Sequence, residues 1–161
     1  MDNSSGAQKL SHVDEQGRAR MVDVSAKAVT QRRAVAKGRV RISTQLAEQI
    51  AANTLAKGNL LEVARVAGTQ AAKRTDELIP LCHKLGLDYV NVEAWLDGGH
   101  VQLRAEVKSE GKTGVEMEAL TAVAVAALTV IDMGKAVDRA LVIEEVRLVE
   151  KTGGRSDTAA R

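Results

Sequence analysis

The stretch "LDYVNVEAWLDGGHVQLRAEVKSE", residues 87–110, decides the fold class. Val90, Val92, Ala94 and Leu96 recur at every second position, and so do Val101, Leu103, Ala105 and Val107. A period of two is the mark of a strand with one buried face. Between the arms, Asp97-Gly98-Gly99 provides the residues that a tight turn demands, so an antiparallel hairpin is expected.

Before the hairpin, "GRVRIS" (38–43) alternates in the same way, with the preceding "RRAVAK" as a candidate pairing partner. "STQLAEQIAANTLAKGN" then switches to helical spacing. Ser43 and Thr44 are candidate caps, Leu46 and Ile50 share a face, and Gly58 is the expected terminator. "NLLEVARVAGTQAAKRTDELIP" reads as a second helix, capped by Asn59 and ended by Pro80, the only proline. Its Ala64, Ala67, Gly68, Ala71 and Ala72 form a small-residue face suited to close helix packing. After the hairpin, Val115 to Ile131 is apolar almost all round and is expected to be the central helix. "ALVIEEVRLVE" (140–150) is a final strand. The order strand, helices, strand, strand, helix, strand predicts an α+β fold. It matches a ferredoxin-like βαββαβ sandwich with an additional helix and an extra N-terminal strand segment.

A chain of 161 residues is sized for one domain. That domain is expected over residues 11–150, with a disordered leader over 1–10 and a flexible basic tail over 151–161. With one Trp, one Tyr and no Phe, the core must be aliphatic. The same shortage argues against single-stranded nucleic-acid binding, which stacks bases on aromatic rings. A formal net charge of +2 is near balance, so any electropositive site must arise by local clustering. One Cys excludes an internal disulfide, and the opening "MDNSSGAQKL" is polar, unlike a signal peptide. A soluble, cytoplasmic chain is expected.

Several residues could carry chemistry. "SEGKTGVE" fails as a phosphate-binding loop, because the required first glycine is Glu106; it reads as a hairpin end meeting a helix start. Glu116 and Glu118 stand in the first helical turn, where the helix dipole favours acids, and two positions apart they face different sides. Asp132 and Lys135 follow the longest uncharged run, Ala119 to Ile131. An ordinary i,i+3 ion pair is the plain reading. The position argues for more: an acid behind so apolar a stripe, at a helix C-terminus, is expected to be partly dehydrated and pushed toward its protonated form. Glu118 and Asp132 lie about 21 Å apart at ~1.5 Å per residue. They must serve opposite ends of a long ligand, or two sites completed by different subunits. Cys82 is expected to be a small buried residue, and Cys82 and His83, being adjacent, should diverge rather than act together. His12, His83 and His100 lack metal-ligand spacing, so no metal site and no cofactor are expected. Lys57, Lys73 with Arg74, and Lys151 are surface charges singly, but would grip a polyphosphate if they converged.

Taken together, "ARMVDVSAKA", "AKGN", "VARVAGTQAAKRTDELIPLCH", "GKTGVEMEALTAVAVAALTVIDMGKAV" and "KTGGRS" resemble the cyclic pyranopterin monophosphate synthases, protein C of molybdenum cofactor biosynthesis, from about Leu10 to Ser156. The resemblance implies a lyase. A radical enzyme cyclises GTP to 3′,8-cyclo-7,8-dihydroguanosine 5′-triphosphate, and this family rearranges that product to the pyranopterin, closes a cyclic phosphate and expels pyrophosphate. It implies Asp132 as catalytic acid, with Lys135 and Lys57 as catalytic lysines. It places Leu81, Cys82, His83, Met117 and Glu118 in substrate-contacting segments, and Glu116, Lys73 and Lys151 at further active-site positions. It also implies a hexamer, a trimer of dimers, with sites between subunits. Two positions depart from the family pattern: Lys84 stands where Pro usually follows the His, and Gly134 where larger residues are common. The competing readings are a non-catalytic oligomeric domain that binds an anionic nucleotide, and an RNA-binding module, which the charge balance disfavours.

Overall fold

The computed structural model describes residues 16–154 and 157–159. Its elements in chain order are β1 (Thr30–Arg41), α1 (Thr44–Ala51), α2 (Leu60–Ala72), α3 (Thr75–Leu78), β2 (Tyr89–Asp97), β3 (His100–Gly111), α4 (Glu116–Gly134), β4 (Val142–Thr152) and β5 (Thr158–Ala159). The expected leader, with His12, lies outside the described residues. In the expected tail, β4 continues to Thr152 and β5 pairs back on it, Lys151 facing Thr158.

The strands form an antiparallel sheet in the order β2-β3-β1-β4-β5. Apart from the short β5, this is the strand order of the ferredoxin-like sandwich, so the expected α+β class is what the chain adopts. The hairpin register sets Val90 opposite Val107, Val92 opposite Ala105, Ala94 opposite Leu103 and Leu96 opposite Val101, as the alternation requires. Gly98 and Gly99 both take positive φ in the turn, where an L side chain would be strained.

Three local expectations are corrected. "RRAVAK" does not pair with "GRVRIS"; the two run on as one strand of 12 residues, because no turn residue separates them and β3 and β4 flank the whole length. The first helix stops at Ala51 rather than Gly58, since Asn53 enters the left-handed region and Gly58 ends a separate turn. The second helix breaks after Ala72, and α3 is a single extra turn before Pro80. The caps are as expected: Ser43 accepts from the Leu46 N–H and Asn59 from the Glu62 N–H.

Helices α2 and α4 cover one face of the sheet. By length and composition α4 could cross a bilayer, but it packs against α2, β1, β3 and β4 and is a core helix. Ala119, Ala122, Val123, Ala126, Ala127 and Val130 are fully buried along it. The close approach depends on two glycines. A Cβ on Gly68 of α2 would stand 2.8 Å from the Ala122 carbonyl oxygen, and one on Gly38 of β1 would stand 2.6 Å from Val123 Cγ1. Ala64, Ala71 and Ala72 extend the same seam, as the small-residue face predicts.

The opposite sheet face is polar. Arg33 and Arg104 both pair with Glu106, which holds that carboxyl at about 2, chiefly through the Arg33 hydrogen bond. β4 bulges between its pairs with Arg39 and Val40, which leaves Glu144 unpaired in the ladder and turns it toward Arg39, Arg41 and His100. At the free edge, Arg65 of α2 donates to the Val92 carbonyl at 2.9 Å.

Gly68→Ala should cost about 1–3 kcal/mol through overpacking against backbone that cannot yield. The check is urea unfolding beside Ala67→Ser, a partly exposed neighbour that should change little.

Candidate active site

Helix α4 presents different chemistry at its two ends. At the C-terminal end, Lys57 reaches across from the turn before α2 and donates to Asp132 Oδ2 at 2.8 Å and to the Asp132 carbonyl at 2.9 Å. Lys135 donates to Asp132 Oδ1 at 2.7 Å. Each carboxylate oxygen therefore holds its own ammonium group. The loop behind this cluster is pinned by Asp138, whose two oxygens accept from the Ser43 and Ala140 N–H groups. Gly134 is not a loose point beside Lys135: a Cβ there would stand 2.7 Å from Leu46 Cδ2.

The expected dehydration of Asp132 is overturned. Its side chain is 56 % exposed, because it lies one turn after the exposed Leu128 on the outward face of α4, while Met133 and Gly134 beyond it are still buried. The hydrogen bonds from Lys135 and then Lys57 lower its pKa to about 2. Asp132 is thus an ionised clamp for two lysines.

The N-terminal end of α4 carries the opposite tendency. Glu118 is only 4 % exposed, and burial, helped by the nearby Glu116 and Asp76 charges, raises its pKa to about 7. Glu116 faces another way, as the spacing requires, and pairs with Lys151 of β4 at 3.4 Å. Met117, between them, is exposed. Cys82 is partly buried rather than enclosed; burial, with Glu118 and Asp76, pushes its thiol up and keeps it protonated. His83 places Nε2 2.9 Å from the Val22 carbonyl. Leu81 lies in the same partly buried segment, whereas Lys84 is exposed.

Beside Glu116 opens a cleft of about 540 Å³ lined by Lys27, Arg32, Arg33, Lys112, Glu116 and Lys151. Five cations face one carboxylate there. Arg33 is committed to Glu106 and Glu150, but the rest of the set suits a polyanion. Lys151 was visible in the sequence reading; Lys27, Arg32 and Lys112 were missed. "SAKA", "QRR" and "EGKT" each look like surface charge, and only the fold brings residues 27, 32, 112 and 151 together. Lys73 belongs to neither cluster; it is exposed at the C-cap of α2.

Two consequences are measurable by carboxyl-carbon NMR titration. Asp132 should titrate near 2, and Lys57→Ala or Lys135→Ala should move it upward toward the ordinary range. For Glu118 the folded pKa exceeds the unfolded one. The stability it contributes is therefore complete below the unfolded pKa of about 4.5 and lost as pH rises through about 7. Glu118→Gln should flatten the fall in unfolding free energy between about pH 4.5 and about pH 7.

Known proteins resemble this chain over most of its length. The MoaC family profile matches residues 21–154. "Cyclic pyranopterin monophosphate synthase" of Parvibaculum lavamentivorans is 57 % identical over 152 residues, 93 % of this chain and 95 % of the relative. The protein of the same name from Roseiflexus sp. is 57 % identical over 149 residues, 91 % and 94 % of the two chains. "Cyclic pyranopterin monophosphate synthase 3" of Mycobacterium tuberculosis is 57 % identical over 148 residues, 91 % of this chain and 84 % of the relative.

Proposed function

The chain belongs to the MoaC family, and we propose that it forms cyclic pyranopterin monophosphate in molybdenum cofactor biosynthesis, as a lyase releasing pyrophosphate. Its substrate is 3′,8-cyclo-7,8-dihydroguanosine 5′-triphosphate. The observation that carries this reading is the clamp of Asp132 between its neighbour Lys135 and Lys57, which the fold brings in from 75 positions away.

The chemistry follows from the two ends of α4. Rearranging the purine needs protons delivered and removed at fixed points, and closing the cyclic phosphate needs the departing pyrophosphate to be neutralised. Asp132, ionised, orients both ammonium groups, and a lysine that gives its proton to substrate can recover one across the carboxylate. Lys57, Asp132 and Lys135 thus act as one catalytic relay. Lys151, Lys27, Arg32 and Lys112 hold the triphosphate in the cationic cleft. Leu81, Cys82, His83, Glu116, Met117 and Glu118 enclose the rest of the substrate, and Lys73 supplies charge from the end of α2.

One chain cannot bring both ends of α4 to one small reacting group, because ~21 Å of helix separates Glu118 from Asp132. The outward faces support completion by a second copy. Val63 and Val66 of α2 and Met117 and Leu128 of α4 are exposed, with Leu128 57 % exposed. Two copies apposed antiparallel about the middle of α4 would cover these residues. They would also set each Asp132 clamp against the partner's Glu118 end. We assign the active assembly as a homo-oligomer with shared sites, a hexamer of three such dimers, in the cytoplasm.

Incubation with the cyclised GTP and measurement of pyrophosphate separates this reading from a non-catalytic nucleotide-binding domain, which would bind and release nothing. Asp132→Ala should abolish pyrophosphate release while leaving oligomer size unchanged. Mixing and reassembling Asp132→Ala chains with Glu118→Ala chains should restore about a quarter of wild-type activity, since half the dimers are mixed and each has one intact site of two. A mixture as inactive as its components would rule out sharing between subunits.

A further inference from the structure

The strand β4 reaches the cationic cleft through an irregularity. Leu148 stands opposite Ala36, but the next pair with β1 is Glu150 opposite Val35, and the ladder passes over Val149. This is a β-bulge, and it reverses the alternation of side chains beyond it. Residues opposite one another share a face of the sheet. Leu148 and Ala36 face the helices and pack in the core. Simple alternation would return Glu150 to that face and send Lys151 outward. The bulge does the opposite. Lys151 stands opposite the fully buried Ala34, on the helix side, and its Nζ lies 3.4 Å from Glu116 Oε1 at the start of α4.

The outer face shows what holds this arrangement. Glu106, Val35 and Glu150 lie in one row across β3, β1 and β4. Arg33, two positions before Val35, shares their face and bridges the two carboxylates. Its Nε is 2.8 Å from Glu106 Oε1, and its Nη1 is bonded to Glu150. Beside this bridge Val35 is only 3 % exposed, although the face is otherwise polar. Without the bulge, both charges of β4 would meet their like. Val149 would take the place opposite Val35, Glu150 would turn to the side that carries Glu116, and Lys151 would stand opposite Arg33. Like charges directly opposite destabilise a sheet, whereas opposite charges support it.

We propose that Arg33, held by Glu106 and pairing with Glu150, locks the bulge at Val149 and thereby aims Lys151 into the cleft. Arg33, Glu106 and Glu150 are positioning residues, acting on the substrate through Lys151. The inference rests on the triphosphate substrate proposed above. A carboxylate on the outer face thus sets the direction of an ammonium group on the inner face.

The test replaces Glu150. Glu150→Leu removes the pair with Arg33 and supplies an apolar side chain suited to the helix side. Its crystal structure should show Val149 opposite Val35 and Lys151 turned outward. Its KM for the cyclised GTP should rise about tenfold with kcat within about threefold, the pattern of lost ground-state binding. Lys151→Ala should match it, and the two together should be no worse than either. Inorganic tripolyphosphate, a probe that needs no turnover, should bind about tenfold more weakly to both variants. Glu150→Asp, which keeps the charge, should stay within about threefold of wild type in each measurement. Should Glu150→Leu fail to fold, Glu150→Ala removes the same pair without adding apolar bulk and carries the same readings. Val35 still opposite residue 150 in these two variants overturns the proposal. So does a lost bulge with tripolyphosphate bound as in wild type, and so do losses that multiply when Glu150→Leu and Lys151→Ala are combined. If the wild-type chain fails to turn over the cyclised GTP, the functional reading falls, while the structures and the tripolyphosphate titrations still decide whether the ion triad aims Lys151.

Discussion

Everything in this molecule depends on how closely helix α4 can approach its neighbours. Gly38 and Gly68 remove the two Cβ atoms that would keep α4 away from β1 and α2, and alanines line the rest of the seam. Helix packing at this range leaves little void and little freedom to slide. α4 is consequently a fixed rod, and the groups at its ends keep a constant separation. A chain without phenylalanine can afford this arrangement because small aliphatic side chains, summed over a long contact, replace the bulk that aromatic residues would supply.

That fixed rod explains the contrast between its two carboxylates. Both belong to one helix, yet they sit on opposite sides of their ordinary pKa. Glu118 begins the buried stretch and has carboxylates for electrostatic neighbours, so desolvation prevails. Asp132 points outward from the last turn, where two ammonium groups converge, so hydrogen bonding prevails. Environment, not residue type, sets which acid can hold a proton near neutrality. The helix dipole alone would predict the reverse order, since it favours ionisation at the N-terminus. Its effect is smaller than either burial or two direct ion pairs.

The sheet was legible because hydrophobic alternation is a local signal: Val90 to Leu96 and Val101 to Val107 declare both their spacing and their facing partners. Helix ends were harder. Nothing in "AANTLAKG" announces that Asn53, rather than Gly58, takes the first left-handed turn, since asparagine tolerates that conformation only somewhat better than most residues. Resemblance singled out Lys57, Asp132 and Lys135, and the fold brings these three into one cluster. Physical reasoning on the sequence misjudged the exposure of Asp132, because an apolar run says that a helix is buried but not which of its faces, here the one carrying the exposed Leu128, turns outward. Lys27, Arg32 and Lys112 were invisible for a different reason. Each is unremarkable in its own neighbourhood, and their convergence is a property of β1, the β3–α4 connection and β4 meeting at one corner.

The guanidinium of Arg65 bears on how such a chain survives at high concentration. β2 is an outer strand of nine residues with one side unpaired among the described residues, the kind of border onto which foreign chains can add themselves. By occupying the carbonyl of Val92, at the middle of that border, a side chain from α2 removes the docking point an intruding backbone would need first. The protein thereby keeps a long, twisted strand available for its own architecture without offering it as a seed for fibrous growth.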